Sequence, residues 1–435
     1  MRCDILIHNG MVVPMNRRRE VVPNGFIGVT DGHIAVVDRE TPDNPPPSSA
    51  EYLDAGGCVI LPGLINTHTH LPMTLFRGLA DDLPLMTWLN EHIFPAEARF
   101  LNPDTVHAGT LLACAEMMLS GTTTCCDGYF WEEIVAQAVD EAGIRAVLAQ
   151  GVIDFPAPGV PNPADNIDCA RDFITCWSGK TQRITPSVFC HSPYTCSADT
   201  LIRAKALANE TGVLFQIHAA ESRSEYDWAK TTHGLTPIGY LGALGLLDQS
   251  SLLVHVIWTQ PEDITLMASS GCGISHTPES AMKLASGVAS IPTFRQAGIP
   301  IGLGTDGCAS NNNLDMFSEM RFAMGLHRLF GKDPRVMDGW SVLKMATSDA
   351  ARTLGLSESI GSIEPGKQAD LVVLDTSRPH LTPMIDPVRS DVRDVMIGGE
   401  WVVRNHCLTR LDLHQVMEKV RFIARDIAWE KGLPT

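Results

Sequence analysis

Leu61-Pro62-Gly63-Leu64-Ile65-Asn66-Thr67-His68-Thr69-His70 is the stretch on which the fold of this chain turns. The apolar run from Val59 to Ile65 predicts a short buried strand. It ends in two histidines separated by one threonine. Alternate side chains of an extended backbone share a face, so His68 and His70 can converge on one point. Neutral imidazoles bind divalent metals well, and such a point suits one. A lone His-x-His is a weak signal, so its weight depends on what the other strands bring.

Short apolar strands alternate with longer helical patterns through the middle of the chain, which argues for parallel β/α units. Strands are expected at about 59–66, 121–126, 145–153, 184–190, 213–218, 252–257, 272–275 and 299–304. Eight units over some 300 residues fit a (β/α)8 barrel. A doubly wound sheet would need a glycine-rich phosphate loop after its first strand, and none is present. Both chain ends have a different texture. Asp4–Ile7, Met11–Val13 and Phe26–Val29, with a turn at Asp31-Gly32, predict strands. So do Ala369–Asp375 and the hairpin around Gly398-Gly399, while the proline-rich stretch from Pro42 to Ser49 predicts a loop. The expected organisation is an α/β (β/α)8 catalytic barrel over 59–360. A small β-sandwich is formed by 1–58 together with 361–411, and a C-terminal helix spans 412–435.

The chain has 435 residues and is 44% hydrophobic, so it can bury a large core. Its 33 basic and 50 acidic residues leave a net charge of -17, which argues against nucleic-acid or anionic-membrane partners. No apolar run suggests a signal peptide or a membrane span, and the 12 cysteines show no disulfide or zinc-ribbon spacing. A reducing cytoplasm is the expected compartment.

The expected strand ends are polar. His68 and His70 close strand one, His191 strand four, His218 and Glu221 strand five, His255 strand six, His276 strand seven and Asp306 strand eight. Barrel enzymes carry their chemistry at that end. Six of the 15 histidines lie there, which chance placement explains poorly.

This pattern resembles the amidohydrolase superfamily, in its one-metal aminohydrolase branch. The opening motif from Leu61 to His70, His218-Ala219-Ala220-Glu221 and Gly304-Thr305-Asp306-Gly307 carry the resemblance across nearly the whole chain. Ala309-Ser310-Asn311-Asn312 and the stretch from His276 to Leu284 are similar to the methylthioadenosine/S-adenosylhomocysteine deaminase group. Thr277 and Ala281 depart from it, because that group usually has Asn at both places.

The resemblance implies one divalent metal held by His68, His70, His218 and Asp306. The nitrogen-rich set favours zinc, and iron or manganese would also fit. Asp306 would take the attacking water's proton, His255 would hold that water, and Glu221 would protonate a ring nitrogen. Strand four has no lysine to bridge a second metal, which leaves His191 free for substrate. Trp88 and Glu97 would contact the nucleoside, Glu97 through the ribose hydroxyls. The implied activity is hydrolytic deamination of an adenosine-type nucleoside, with release of ammonia. The alternative is an aminohydrolase or chlorohydrolase of another heterocycle such as guanine, 8-oxoguanine, a pterin or a triazine. The segment from Ala146 to Ala170 holds no Lys, Arg or His, which favours 5′-methylthioadenosine over the charged tail of S-adenosylhomocysteine. The number of subunits is left open.

Overall fold

The structure is a computed structural model that describes residues 2–381 and 387–430. Eight strand positions pair in parallel, in chain order, around a nearly closed barrel. Strands one to three are Leu64–Thr69, Thr122–Tyr129 and Arg145–Val152. Strand four is interrupted at Ser187 and runs as Ile184–Pro186 and Val188–Cys190. Strands five to eight are Phe215–Ala219, Ser251–His255, Gly273–His276 and Ile301–Leu303. Nearly every strand residue is buried, as expected for parallel strands covered on both faces. The helices between them are set by ordinary signals. Ala198–Thr211, for example, starts at the Ser197 cap, whose Oγ accepts from Thr200 N at 3.3 Å, and stops at Gly212 with φ 71°.

Strands eight and one meet without a regular ladder. Thr67 Oγ1 donates to Leu303 O at 2.9 Å, and Asp306 N donates to His68 O at 3.0 Å. Closing this seam needs glycine, because a Cβ on Gly302 would run into the Thr67 side chain.

The apolar run expected as one strand divides at Gly63. Cys58–Pro62 belongs to the other sheet, between Arg2–Val12 in parallel and Leu371–Asp375 antiparallel. The barrel strand begins at Leu64. Gly63 lies so close to Thr123 that a Cβ there would overlap that side chain. Its N–H donates to Asp370 O at 2.8 Å.

Among the described residues the second sheet has nine strands, and it joins both ends of the chain. Ser48–Asp54 is an edge strand of this sheet that overlaps the expected loop only at Ser48 and Ser49, while Ala50–Asp54 was not anticipated as a strand. The sheet curls, so that the Asp31-Gly32 turn and the Gly398-Gly399 turn meet through Ala369. Ala369 N donates to Gly32 O at 2.9 Å, and Gly399 N to Ala369 O at 3.2 Å. Ile7, Ile27, Ile34, Ile60, Leu371 and Met396 pack in the interior. Arg145, at the start of strand three, reaches across to Asp370 with two bonds of 2.8 and 3.0 Å.

The expected C-terminal helix is present as Leu413–Glu430 and packs on the helix Pro103–Leu119. Residues 382–386 of the second β segment and 431–435 of the expected helix lie outside the described residues. Among the described residues no helix is long and apolar enough to cross a membrane, and every cysteine is free.

Candidate metal centre and substrate cleft

The C-terminal ends of strands one, five, six and eight bring five expected residues to one place. His68 and His70 converge, with ring centroids 4.7 Å apart. His68 Nε2 is 3.1 Å from His218 Nε2 and 3.5 Å from Asp306 Oδ1. His70 Nε2 is 3.4 Å from the same oxygen. The donor atoms of His68, His70 and Asp306 all lie within 4.8 Å of one another, and so do those of His68, His218 and His255. Two imidazole nitrogens at hydrogen-bond distance, in a nest of three further donors, have the chemistry of a cation site. His68 Nδ1 is buried and has no hydrogen-bond partner among the described residues.

The electrostatics agree with that chemistry. Burial, followed by the charge of His68, pushes His70 down to about 4. Burial and the neighbouring histidines push His218 well below the usual imidazole range. Both rings are therefore neutral at pH 7 and offer lone pairs. Burial alone would raise the Asp306 carboxyl, but His68, His70 and His255 hold it well below the usual carboxylate range. The anion and the neutral nitrogens together fit a divalent metal.

Hydrogen bonds behind the cluster orient it. His70 Nδ1 meets Gly128 O at 2.8 Å. Ser280 Oγ donates to Asp306 Oδ2 at 2.7 Å, and Gly307 N to Oδ1 at 2.7 Å. Thr277 Oγ1 lies 2.8 Å from His255 Nδ1, so this departure from the expected Asn still supplies a partner to the ring. Glu221 lies next to His255, with 3.8 Å between Oε2 and Nε2. Burial first, then Asp306 and Glu225, pushes the Glu221 carboxyl well above its ordinary value. Glu225 takes the backbone N–H groups of Ala220 and Glu221, each at 2.8 Å, and so fixes the loop that carries Glu221. The turns after these strands are left-handed at non-glycine residues: φ is 54° at Ala220, 73° at His255 and 64° at Asp306. Such conformations cost free energy and gather at functional sites.

A cleft of about 670 Å³, open to solvent, lies over the cluster. His70, His218, His255, Asp306, Glu221, His191, Trp88 and Glu97 all line it, and His68 sits beneath. His191 is held by Thr195 Oγ1, 2.9 Å from its Nδ1. His276 does not join the cluster. Its Nε2 meets His327 Nε2 at 3.0 Å, and it does not line the cleft.

Sequence reasoning missed Tyr129, whose hydroxyl donates to Glu97 Oε1 at 2.5 Å. Strand two was expected to stop at 126, three residues short of Tyr129. Carried through to its true end, the same strand-end rule would have found this residue. It also missed Ser280 and Glu225, which sit in helices and carry no local signal.

The model of the Amidohydrolase family matches residues 59–402. A 5-methylthioadenosine/S-adenosylhomocysteine deaminase of Syntrophobacter fumaroxidans is 42% identical over 98% of this chain and 99% of its own length. A 5'-deoxyadenosine deaminase of Methanothermobacter thermautotrophicus is 41% identical, covering 93% of this chain and 95% of the relative. The crystal structure of an adenosine deaminase from Xanthomonas campestris, with bound zinc, superposes with a TM-score of 0.94 at 35% identity. That match covers 98% of this chain and 99% of the other. The atrazine chlorohydrolase of Arthrobacter aurescens shares the fold, with a TM-score of 0.88 at 21% identity over 97% of this chain and 100% of the other. A barrel with histidines and an aspartate at its strand ends, matched by relatives along nearly its full length, belongs to the amidohydrolase family.

Proposed function

We propose that the protein is a metal-dependent deaminase of adenosine-type nucleosides, converting them to the inosine derivative and ammonia. The observation that carries this reading is the convergence of His68, His70, His218, His255, Glu221 and Asp306 under a largely apolar cleft. The near-full-length similarity to proteins named as deaminases of such nucleosides supports it. An ammonia-release screen over purines, nucleosides and triazines is the test. Turnover of adenosine derivatives is expected, and turnover of ring-only substrates alone would overturn the reading.

One divalent metal, zinc in our reading, would be held by His68, His70, His218 and Asp306, and when bound it lowers the pKa of a water from 15.7 to about 7. Asp306 takes the proton of the attacking water. His255, steadied by Thr277, holds that water against the purine C6. Glu221 gives its proton to the ring nitrogen N1 as the C–O bond forms. Asp306 then returns its proton to the amino group, the C–N bond breaks, and ammonia leaves. The proton of the new C6 hydroxyl restores Glu221 as the carbonyl forms. His191 contacts the base edge, and Glu97 accepts the ribose hydroxyls.

Glu97 gives this reading a pH signature. Burial raises its carboxyl to about 7, even though the Tyr129 hydroxyl holds it down. The ionised form accepts hydroxyls, and the protonated form loses part of that capacity. KM for a nucleoside is therefore expected to rise as pH falls from about 8 to about 6, as this carboxyl takes up its proton. A KM that stays flat over that range would remove Glu97 from the ribose.

The cleft also bears on the 5′ substituent. Among the described residues none of those lining it is Lys or Arg, and Val152, Ile153, Phe94 and Phe130 supply apolar wall. Arg77 is engaged by Glu116 and by Asn312 O, Arg223 by Asp227 at 2.9 Å, and Arg99 lies over Phe100 at 5.7 Å. A homocysteine zwitterion would lose solvation there without a partner. We therefore predict that kcat/KM for 5′-methylthioadenosine exceeds that for S-adenosylhomocysteine by about tenfold or more, a difference of ~1.4 kcal/mol. Equal or reversed values in steady-state kinetics would show that the tail is recognised by other groups.

A further inference from the structure

Away from the metal ligands, one lysine ties three segments of the barrel mouth together. Lys283 closes the helix Pro278–Lys283, which follows strand seven. Its Nζ donates to Asp81 Oδ1 at 2.7 Å, to Asn312 Oδ1 at 2.8 Å and to Ala309 O at 2.9 Å. An ammonium has three N–H donors, so all of them are spent. They reach two other segments. Asp81 lies on the connection after strand one, and Ala309 and Asn312 belong to the short helix Cys308–Asn311 and its cap, after strand eight. Arg77, on the same connection as Asp81, adds a bond to Asn312 O at 2.5 Å.

A solvated lysine spends its donors on water, and an exposed ion pair adds little to stability. The Lys283 side chain is only 15% exposed, and that of Asp81 38%. The backbone around the contact is also strained. On either side of Asp81, φ is 57° at Ala80 and 64° at Asp82, and it is 51° at Ala285 and 82° at Asn312. Left-handed backbone at such residues persists only where its surroundings hold it. Each tied segment also carries a residue of the cleft wall: Leu85 beyond Asp81, Leu284 next to Lys283, and Ser310 next to Ala309. Lys283, Asp81 and Asn312 do not line the cleft themselves.

We propose that Lys283 is a positioning residue, a clamp that holds three walls of the cleft in register for the substrate. It touches neither substrate nor metal and acts through Leu85, Leu284 and Ser310. Its kinetic consequence rests on the nucleoside reading above. Loosened walls weaken the hold on the ground state and the transition state alike, which raises KM and leaves kcat unchanged. The bond from Ser280 to Asp306 does not pass through Lys283, so the metal should stay.

The test uses Lys283→Met, which keeps the stem and removes the charge, and Asp81→Asn, which keeps the shape and removes one partner. In metal-loaded protein, KM for an adenosine derivative is expected to rise at least ~fivefold in Lys283→Met and ~threefold in Asp81→Asn, with kcat and metal content within about twofold of wild type. Adding Asp81→Asn to Lys283→Met should change KM no further, because both act on one contact. Hydrogen exchange gives a readout independent of substrate: the amides of residues 78–89 should exchange at least ~tenfold faster in both variants. An unchanged KM, a fall in kcat as large as the rise in KM, additive effects or unchanged exchange overturns the proposal. If Lys283→Met does not fold, Asp81→Asn, at the more exposed partner, decides alone. A wild type that turns over no adenosine derivative overturns the nucleoside reading, and the exchange rates then decide the clamp by themselves.

Discussion

Glu221→Gln is expected to keep its metal and lose turnover by at least ~100-fold, the lower end of what a positioned acid or base supplies. The residue is 7% exposed, and Glu225 grips its backbone, so the near-isosteric amide should sit in the same place. Burial and neighbouring Asp306 and Glu225 favour the protonated carboxyl, the form that can give a proton to N1. An amide has N–H bonds but no acidic proton to surrender. Elemental analysis of the variant, run beside an ammonia-release assay, separates the two effects. A metal-loaded variant with near-wild-type turnover would show that another group protonates the ring.

His218→Ala is expected to cost the metal and the activity together. Its Nε2 faces His68 Nε2 at 3.1 Å, and the ring shares edge contacts with His68 and His70. Losing a first ligand should exceed the ~10–100-fold loss in metal affinity typical of residues one shell farther out. The wild type should bind one equivalent, because strand four ends at Cys190 and His191 with no lysine to bridge a second ion. Two equivalents, both required for turnover, would replace the one-metal reading. Retention of a full equivalent in His218→Ala would remove this histidine from the ligand set.

The barrel was legible because its strands are buried on both faces and therefore show as continuous apolar runs. That same continuity hid the break at Gly63. Val59 and Ile65 look alike in sequence, although they serve different sheets, and only the close approach to Thr123 separates them. Ser48–Asp54 was hard to see for the opposite reason. It is a largely exposed edge strand, with no apolar alternation to mark it. The polar strand ends brought the cluster into view as residue types, and the resemblance then supplied their roles. Neither could show that His255 and Asp306 take left-handed backbone, since no Gly or Asn announces it. The π-helix Trp88–Ile93 is likewise silent in sequence, so the shared cleft position of Trp88 and Glu97 comes from the structure. The left-out partner of Glu97 follows from a boundary error of three residues at Tyr129.

The break at Gly63 has a thermodynamic consequence. The strand bearing His68 begins two residues after a strand of the curled sheet ends, and Gly63 itself is tied to Asp370, which also grips Arg145. Continuous backbone and a buried ion pair thereby join barrel and sheet at this point, so fraying of the sheet is expected to reach the strand that presents His68 and His70. Occupancy at one end of the molecule becomes a reporter of integrity at the other. By mass action, a ligand present at about 100 times its Kd adds ~2.7 kcal/mol to the folded state, and here that gain is shared by strands that never touch it. The chain ends act as a foundation for the catalytic mouth, and the mouth, once filled, holds the foundation in place.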